Sequence, residues 1–297
     1  MQDLTLPAWM GEIDLSRIGF PLPVDKSRYT KKTGIPYKET PSGALLLDFY
    51  RPADVARPPL VLMIHGGGWA RGGRFEMGLS KWAGYLANAG LAVASIDYRL
   101  APAAQYPEPF LDCLDAFDWL VEHAGELGVD AQRVGLWGDS AGGHLVLLLA
   151  TSQTHPAFGG PRMRSSAERI RGVVGWYPPT NLLRLHRGGR KNGLTTVMDF
   201  VGCEPDADPR RWSEVSPLEH VHPKLPPMLL LQGTRDLLVP HTHTVAFAEK
   251  LAEIGAPHEL HVVENALHGF DRLDPGPQAL RLIERTREFL VERLGGD

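Results

Sequence analysis

The chain alternates two kinds of apolar segment, and that alternation confines it to one broad architecture. Short, almost continuously apolar runs at 44–50, 59–65, 91–96, 133–137, 172–177, 227–232 and 258–263 read as strands. The run at 59–65, Pro-Leu-Val-Leu-Met-Ile-His, has no polar face, as expected of a strand covered on both sides. Between these runs the spacing changes to that of helices. Leu79, Trp82, Ala83 and Leu86 line one face over 75–89, and Gly90 closes that segment. Pro107 and Pro109 open a second helix with Phe110, Leu114, Phe117 and Val121 on one face. Further helices are predicted after residue 140, over 241–254 and over 277–294, the last with Ile283, Leu290 and Leu294 inward. Strands that alternate with helices give an α/β protein with a mostly parallel sheet, and right-handed crossovers place helices on both of its faces.

Two stretches break the rhythm. Residues 1–43 are rich in Pro and Gly without a clear period, and 178–225 are polar and irregular. Both read as excursions from the sheet that pack together as a lid. The 297 residues are 43% hydrophobic and 22% charged, which suffices for a full core in a single domain over 1–297. A net charge of −4 without any dense Lys/Arg block argues against nucleic acid or an anionic membrane as partner. No apolar run is long enough to span a bilayer, and the N-terminus shows no signal pattern, so a cytoplasmic protein is expected. Cys113 and Cys203 fit neither a zinc spacing nor a disulfide framework, and Cys113 falls in an apolar helical pattern as a small core residue.

The chemistry concentrates at Gly138-Asp139-Ser140-Ala141-Gly142. A serine between a strand and a helix sits on a tight turn that lifts its hydroxyl off the sheet edge, and small neighbours let the two backbones pass. Acyl transfer by serine also needs a base, an acid to orient it and donors for an oxyanion. His268 follows the last strand and Asp236 follows the strand before it, so both fall on the carboxyl edge that carries Ser140. Imidazole, with an ordinary pKa near ~6.5, suits the base. His65, His144, His241 and His243 are placed less favourably. Three glycines after the strand at 59–65, in His65-Gly66-Gly67-Gly68-Trp69, let backbone N–H groups face an incoming oxygen, and no Walker pattern follows. The Ala141 N–H opens the helix after the serine and adds a donor there.

These motifs together resemble the hormone-sensitive-lipase-like branch of the α/β-hydrolase carboxylesterases. The match rests on His65-Gly66-Gly67-Gly68-Trp69, Asp97-Tyr98-Arg99-Leu100-Ala101-Pro102, the GDSAGGH of 138–144, Asp236-Leu237-Leu238-Val239-Pro240 and His268-Gly269-Phe270, over roughly 44–294. The resemblance implies an α/β-hydrolase fold with about eight strands and a small cap from 1–43 and 178–225. It implies Ser140 as nucleophile, Asp236 as acid, His268 as base, and an oxyanion hole from the N–H groups of Gly67, Gly68 and Ala141. His65 and Asp97 would brace the oxyanion loop. It implies no cofactor and no metal. Two departures, the Leu-Leu-Val-Pro after Asp236 and the short N-terminal segment, lean toward the related small bacterial esterases, which include deacetylases and feruloyl esterases.

The expected activity is hydrolysis of a small-molecule ester through an acyl-enzyme, with acyl groups from acetyl to about hexanoyl. Trp69 and Tyr98 are expected to line the pocket, with Trp176, Tyr177 and Phe200 joining from the cap side. A homodimer is the assembly to test. Two other readings stand beside this one. An arylformamidase would use the same triad but typically carries a bulky residue where Gly68 sits. A non-catalytic small-molecule receptor on the same fold would lack a triad member, usually the histidine.

Overall fold

The computed structural model describes residues 20–75, 78–152, 168–189, 196–273 and 275–295. Among them eight strands form one sheet: β1 (Tyr29–Thr40), β2 (Gly43–Pro52), β3 (Pro59–Ile64), β4 (Ala92–Ile96), β5 (Asp130–Asp139), β6 (Ile170–Trp176), β7 (Met228–Gly233) and β8 (His258–Val263). Their order across the sheet is β1-β2-β4-β3-β5-β6-β7-β8. β1 and β2 pair antiparallel, β2 pairs antiparallel with β4, and every later pair is parallel.

The helices are α1 (Leu79–Asn88), α2 (Glu108–Glu122), α3 (Ala124–Leu127), α4 (Ala141–Thr151), α5 (Leu182–Gly189), α6 (Thr196–Val201), α7 (Pro209–Glu214), α8 (Thr242–Glu253) and α9 (Pro277–Leu294). Strand residues point alternately to two apolar layers, which explains the continuous hydrophobic runs. Leu60, Leu62, Ile64, Leu136 and Val173 enter the layer beneath α2, α4 and α8. Val61, Met63, Trp137, Val174 and Trp176 enter the layer beneath α1 and α9.

One expectation is corrected. Residues 29–43 are not part of a cap: most of them form β1, a twelve-residue edge strand. Its sequence, Tyr-Thr-Lys-Lys-Thr-Gly-Ile-Pro-Tyr-Lys-Glu-Thr, hides the strand because an edge tolerates Lys, Gly and Pro. Register shifts against β2 fall between Lys32 and Ile35 and between Pro36 and Lys38, beside that Gly and that Pro. Residues 1–19 of the expected N-terminal cap lie outside the described residues. The other stretch, 178–225, carries the short helices α5, α6 and α7 and a 3-10 turn at Pro217–His220. Its described parts, 178–189 and 196–225, are bonded to one another. Ser216 Oγ accepts from the Leu182 amide at 3.0 Å and donates to Trp212 O at 2.8 Å. Trp212 Nε1 donates to Cys203 O at 3.1 Å.

Candidate active site

The carboxyl ends of β3, β5, β7 and β8 release the loops that build the site. At the end of β5 the chain turns into α4 within one residue, Ser140, at φ 52° and ψ −119°. That left-handed backbone is strained for any residue with a Cβ, so the surrounding packing must enforce it. The enforcement is visible at the two glycines. A Cβ on Gly138 would fall 2.4 Å from Gly142 O, and one on Gly142 would fall 2.0 Å from Ile64 O. Neither position admits a side chain, because Gly138 faces the backbone at the start of α4 and Gly142 faces the end of β3.

His268 reaches Ser140 from the loop after β8. Its Nε2 lies 2.9 Å from Ser140 Oγ, and its Nδ1 lies 2.7 Å from Asp236 Oδ2. A carboxylate only accepts, so Nδ1–H donates to Asp236 and Nε2 is left to accept the Ser140 hydroxyl proton. Asp236 is buried and well held. Its Oδ1 accepts from the Leu238 and Val239 amides at 2.9 and 2.8 Å, and its Oδ2 accepts from Gln232 Nε2 at 3.0 Å. Gln232 in turn accepts from Thr244 Oγ1 at 2.8 Å. Sequence reading did not single out Gln232. The signal was there, since it is the one amide closing the apolar run at 227–232.

The loop after β3 holds the predicted oxyanion donors. Gly67 has φ +115°, and a Cβ there would lie 2.0 Å from Arg71 O, so only glycine closes this turn. Gly68 follows at φ +61°, where a Cβ would lie 3.1 Å from Thr196 Oγ1. Ala141 is the first residue of α4, where backbone N–H groups have no intrahelical partner. The loop is braced from below. The His65 ring stacks on Tyr98 with centroids 4.3 Å apart, His65 Nδ1 lies 2.7 Å from Gly66 O, and the Tyr98 hydroxyl donates to His65 O at 3.1 Å. Asp97 accepts from the Arg74 amide at 2.9 Å and pairs with the Arg74 guanidinium.

The five aromatic residues expected at the pocket separate into three groups. Trp69 and Phe200 are brought together, stacked with centroids 4.9 Å apart, joining the oxyanion loop to α6. Tyr98 is a brace beneath His65. Trp176 and Tyr177 do not come from the cap side and belong to the opposite layer. Trp176 packs with Trp82 at 5.6 Å and Phe270 at 5.3 Å, and the Tyr177 hydroxyl bonds into a buried network beneath the site. The alternation of β6 sends Trp176 to the face of Val174, toward α1 and α9.

His144 is fully buried beside this constellation. Its Nδ1 accepts from Trp69 Nε1 at 3.2 Å, so its Nε2–H donates to Val215 O at 2.7 Å. Burial pulls its pKa from 6.5 down to about 4, against the bond to the Val215 carbonyl. It is a neutral strut between the oxyanion loop and the 178–225 segment.

Comparison with known proteins adds to this geometry. A family model described as BD-FAE matches residues 47–251. Esterase LipC of Mycobacterium tuberculosis is 30% identical over 275 residues, covering 88% of this chain and 67% of LipC. LipQ of the same organism is covered over 64% of its length, so the chain spans about two thirds of these relatives. Ethyl acetate hydrolase of Pseudomonas putida is 30% identical over 81% of this chain and 76% of its own. Among solved structures, esterase 2 of Thermogutta terrifontis with butyrate bound superposes with a TM-score of 0.71 at 28% identity, covering 89% of this chain and 94% of that one. The same esterase has also been solved phosphorylated by paraoxon.

Proposed function

The chain belongs to the BD-FAE family of carboxylic ester hydrolases, and from that premise we propose that it is a serine esterase acting on short-chain esters through an acyl-enzyme. The observation that carries the reading is the bridging imidazole: His268 stands 2.9 Å from Ser140 Oγ and 2.7 Å from Asp236 Oδ2, although the three residues come from three different loops.

His268 Nε2 takes the Ser140 proton as Oγ attacks the ester carbonyl carbon. The carbonyl electron pair moves onto oxygen, and the N–H groups of Gly67, Gly68 and Ala141 hold the resulting oxyanion. As the tetrahedral centre collapses, His268 returns its proton to the departing alkoxide oxygen, which leaves as the alcohol. A water then gives a proton to Nε2 and attacks the acyl carbon, and collapse restores Ser140 with release of the carboxylic acid. Asp236 accepts from Nδ1–H throughout, fixing the tautomer and supporting the imidazolium. The steps call on no cofactor or metal.

The substrate reading has separate support. Two of the proteins resembling this chain carry small acyl groups in their names: an ethyl acetate hydrolase and an esterase solved with butyrate. The segment 178–225 serves as a small cap, with Trp69 on Phe200 as its contact with the oxyanion loop. The esterase reading is favoured over an arylformamidase by Gly68, since a side chain there would press on Thr196. It is favoured over a receptor because all three triad members meet.

The test is a p-nitrophenyl ester series from acetyl to dodecanoyl on the wild type and Ser140→Ala. The wild type is expected to peak at or below hexanoyl, and the variant to lose about 10⁶-fold in kcat. A peak at dodecanoyl would sink the short-chain reading, and near-normal turnover by Ser140→Ala would sink the serine mechanism.

A further inference from the structure

Directly beneath Ser140 lies a second set of polar side chains that the mechanism above does not use. Asp139, the residue before the nucleophile, turns its carboxylate away from the substrate side. Its Oδ1 accepts from the Gly66 amide at 3.0 Å, and its Oδ2 accepts from Arg272 Nη2 at 2.6 Å. Arg272 sits four residues after His268, on the same loop. Its Nη2 also donates to the Tyr177 hydroxyl at 2.7 Å, and its Nε lies 3.0 Å from Asp271 Oδ2. Asp271 is satisfied in turn by the Tyr177 hydroxyl at 2.6 Å and Trp82 Nε1 at 3.0 Å.

This network is dry. The Arg272, Asp139 and Asp271 side chains are 5%, 3% and 0% exposed. The crevice lined by His65, Gly66, Gly72, Asp139 and Arg272 has no room for a water molecule. The guanidinium therefore meets the carboxylates directly. Burial opposes its charge, but Asp139 and Asp271 hold its pKa well above the ordinary arginine value.

The connectivity is what matters for catalysis. Gly66 immediately precedes Gly67, whose N–H is one of the oxyanion donors proposed above. The approach is close: a Cβ on Gly66 would fall 2.7 Å from Asp139 Oδ2, so only glycine lets this loop sit against that carboxylate. Gly269, at φ +76°, folds the histidine loop back on itself, with the Arg272 and Leu273 amides donating to Gly269 O at 3.0 and 2.9 Å. That turn brings the Arg272 side chain under the serine while His268 stays above it. One guanidinium thus ties the histidine loop to the nucleophile turn, and one carboxylate passes the constraint on to the oxyanion loop.

We propose that Arg272 is a positioning residue for the oxyanion hole, acting through Asp139 on the Gly66 amide. It sets the direction of the Gly67 and Gly68 N–H groups relative to Ser140. The proposal rests on the serine-esterase reading above. Without Arg272, Asp139 is free to rotate from Gly66, and the donors lose their fixed aim at the developing oxyanion.

Two variants separate positioning from charge balance. Arg272→Met leaves two buried carboxylates unpaired and is at risk of not folding. The double variant Arg272→Met/Asp271→Asn removes one charge of each sign, so the buried network keeps its net charge while the Asp139 contact is still lost. The double variant is expected to fold with a Tm below wild type but above that of Arg272→Met, since Asp139 alone stays buried without its guanidinium. It is expected to show kcat on p-nitrophenyl acetate about 10²-fold lower, KM within about threefold, and binding of an aryl trifluoromethyl ketone weakened by the same factor as kcat, the scale of losing one oxyanion donor. Arg272→Lys, which retains the cation, should recover part of kcat. The proposal is overturned if the folded double variant keeps wild-type kcat, or if kcat falls while the ketone binds as tightly as before. Should Ser140→Ala remain active in the same assays, the serine reading itself fails, an outcome distinct from either of these.

Discussion

Asp139 and Ser140 are neighbours in the chain, yet their side chains enter two networks of opposite character. Ser140 joins His268 and Asp236, where a partly open imidazole stands between a hydroxyl and a carboxylate. Asp139 joins Arg272, Asp271 and Tyr177, where the charges are sealed from water. Both networks link the turn at Ser140 to the same loop after β8. In the proposed mechanism the upper one passes a proton between Ser140 and His268, and the lower one takes no part in proton transfer. The contrast shows how one short loop presents a partly open imidazole on one side and a buried guanidinium on the other. The two networks meet at Tyr177, whose ring packs against His268 with centroids 4.5 Å apart.

Among changes that keep Ser140, the largest expected effect breaks the upper network at its carboxylate. Asp236→Asn should keep the fold and lower kcat by about 10⁴-fold, because an amide facing Nδ1 stabilises the wrong imidazole tautomer. Steady-state kinetics on p-nitrophenyl acetate with a matched Tm would check this, and a loss under tenfold would contradict it. Breaking the lower network by the Arg272 variants comes next, at about 10²-fold. A smaller effect is expected at Gln232, which donates to Asp236 at 3.0 Å. Gln232→Leu removes a hydrogen bond to a charged group, a contribution of about 1.5–3 kcal/mol, so kcat/KM should fall by between about 10-fold and about 10²-fold. An unchanged kcat/KM would show that the two backbone amides alone hold the carboxylate.

The last prediction sharpens the comparison through stability. His144 is neutral and buried, with its pKa lowered from 6.5 to about 4. Protonation then favours the unfolded chain, so the stability it contributes is complete above about pH 6.5 and is lost as pH falls toward 4. The shift, 6.5 − 4, corresponds to about 3 kcal/mol. Gln can still donate and accept at this position, so the Tm of His144→Gln should fall less between pH 7 and pH 4.5 than that of the wild type. Equal declines would mean that other groups dominate the acid loss.

Much of this was legible in the sequence where the chemistry demands fixed residue types at strand ends. Ser140, Asp236 and His268 each follow a strand, and a parallel sheet brings such ends to one edge. β1 was hidden because its Lys, Gly and Pro residues suit an edge strand but imitate a loop. Trp176 and Tyr177 face the layer of α1 and α9, which their sequence does not reveal because the end of a buried strand is apolar on both sides. Arg272 gave no signal, since its partners Tyr177 and Asp139 lie 95 and 133 positions away. Contacts of that span are set by the loops' final packing, not by any local pattern.

The central claim, that Ser140 attacks the acyl carbon with His268 as its base, is tested most directly by titrating the protein with paraoxon and mapping the adduct by mass spectrometry. The account predicts one diethylphosphoryl group on the peptide that carries Ser140, activity falling in proportion to its occupancy, and no adduct in His268→Ala on the same timescale. Loss of activity with Ser140 unmodified, or labelling of Ser140 that leaves ester hydrolysis intact, would contradict it.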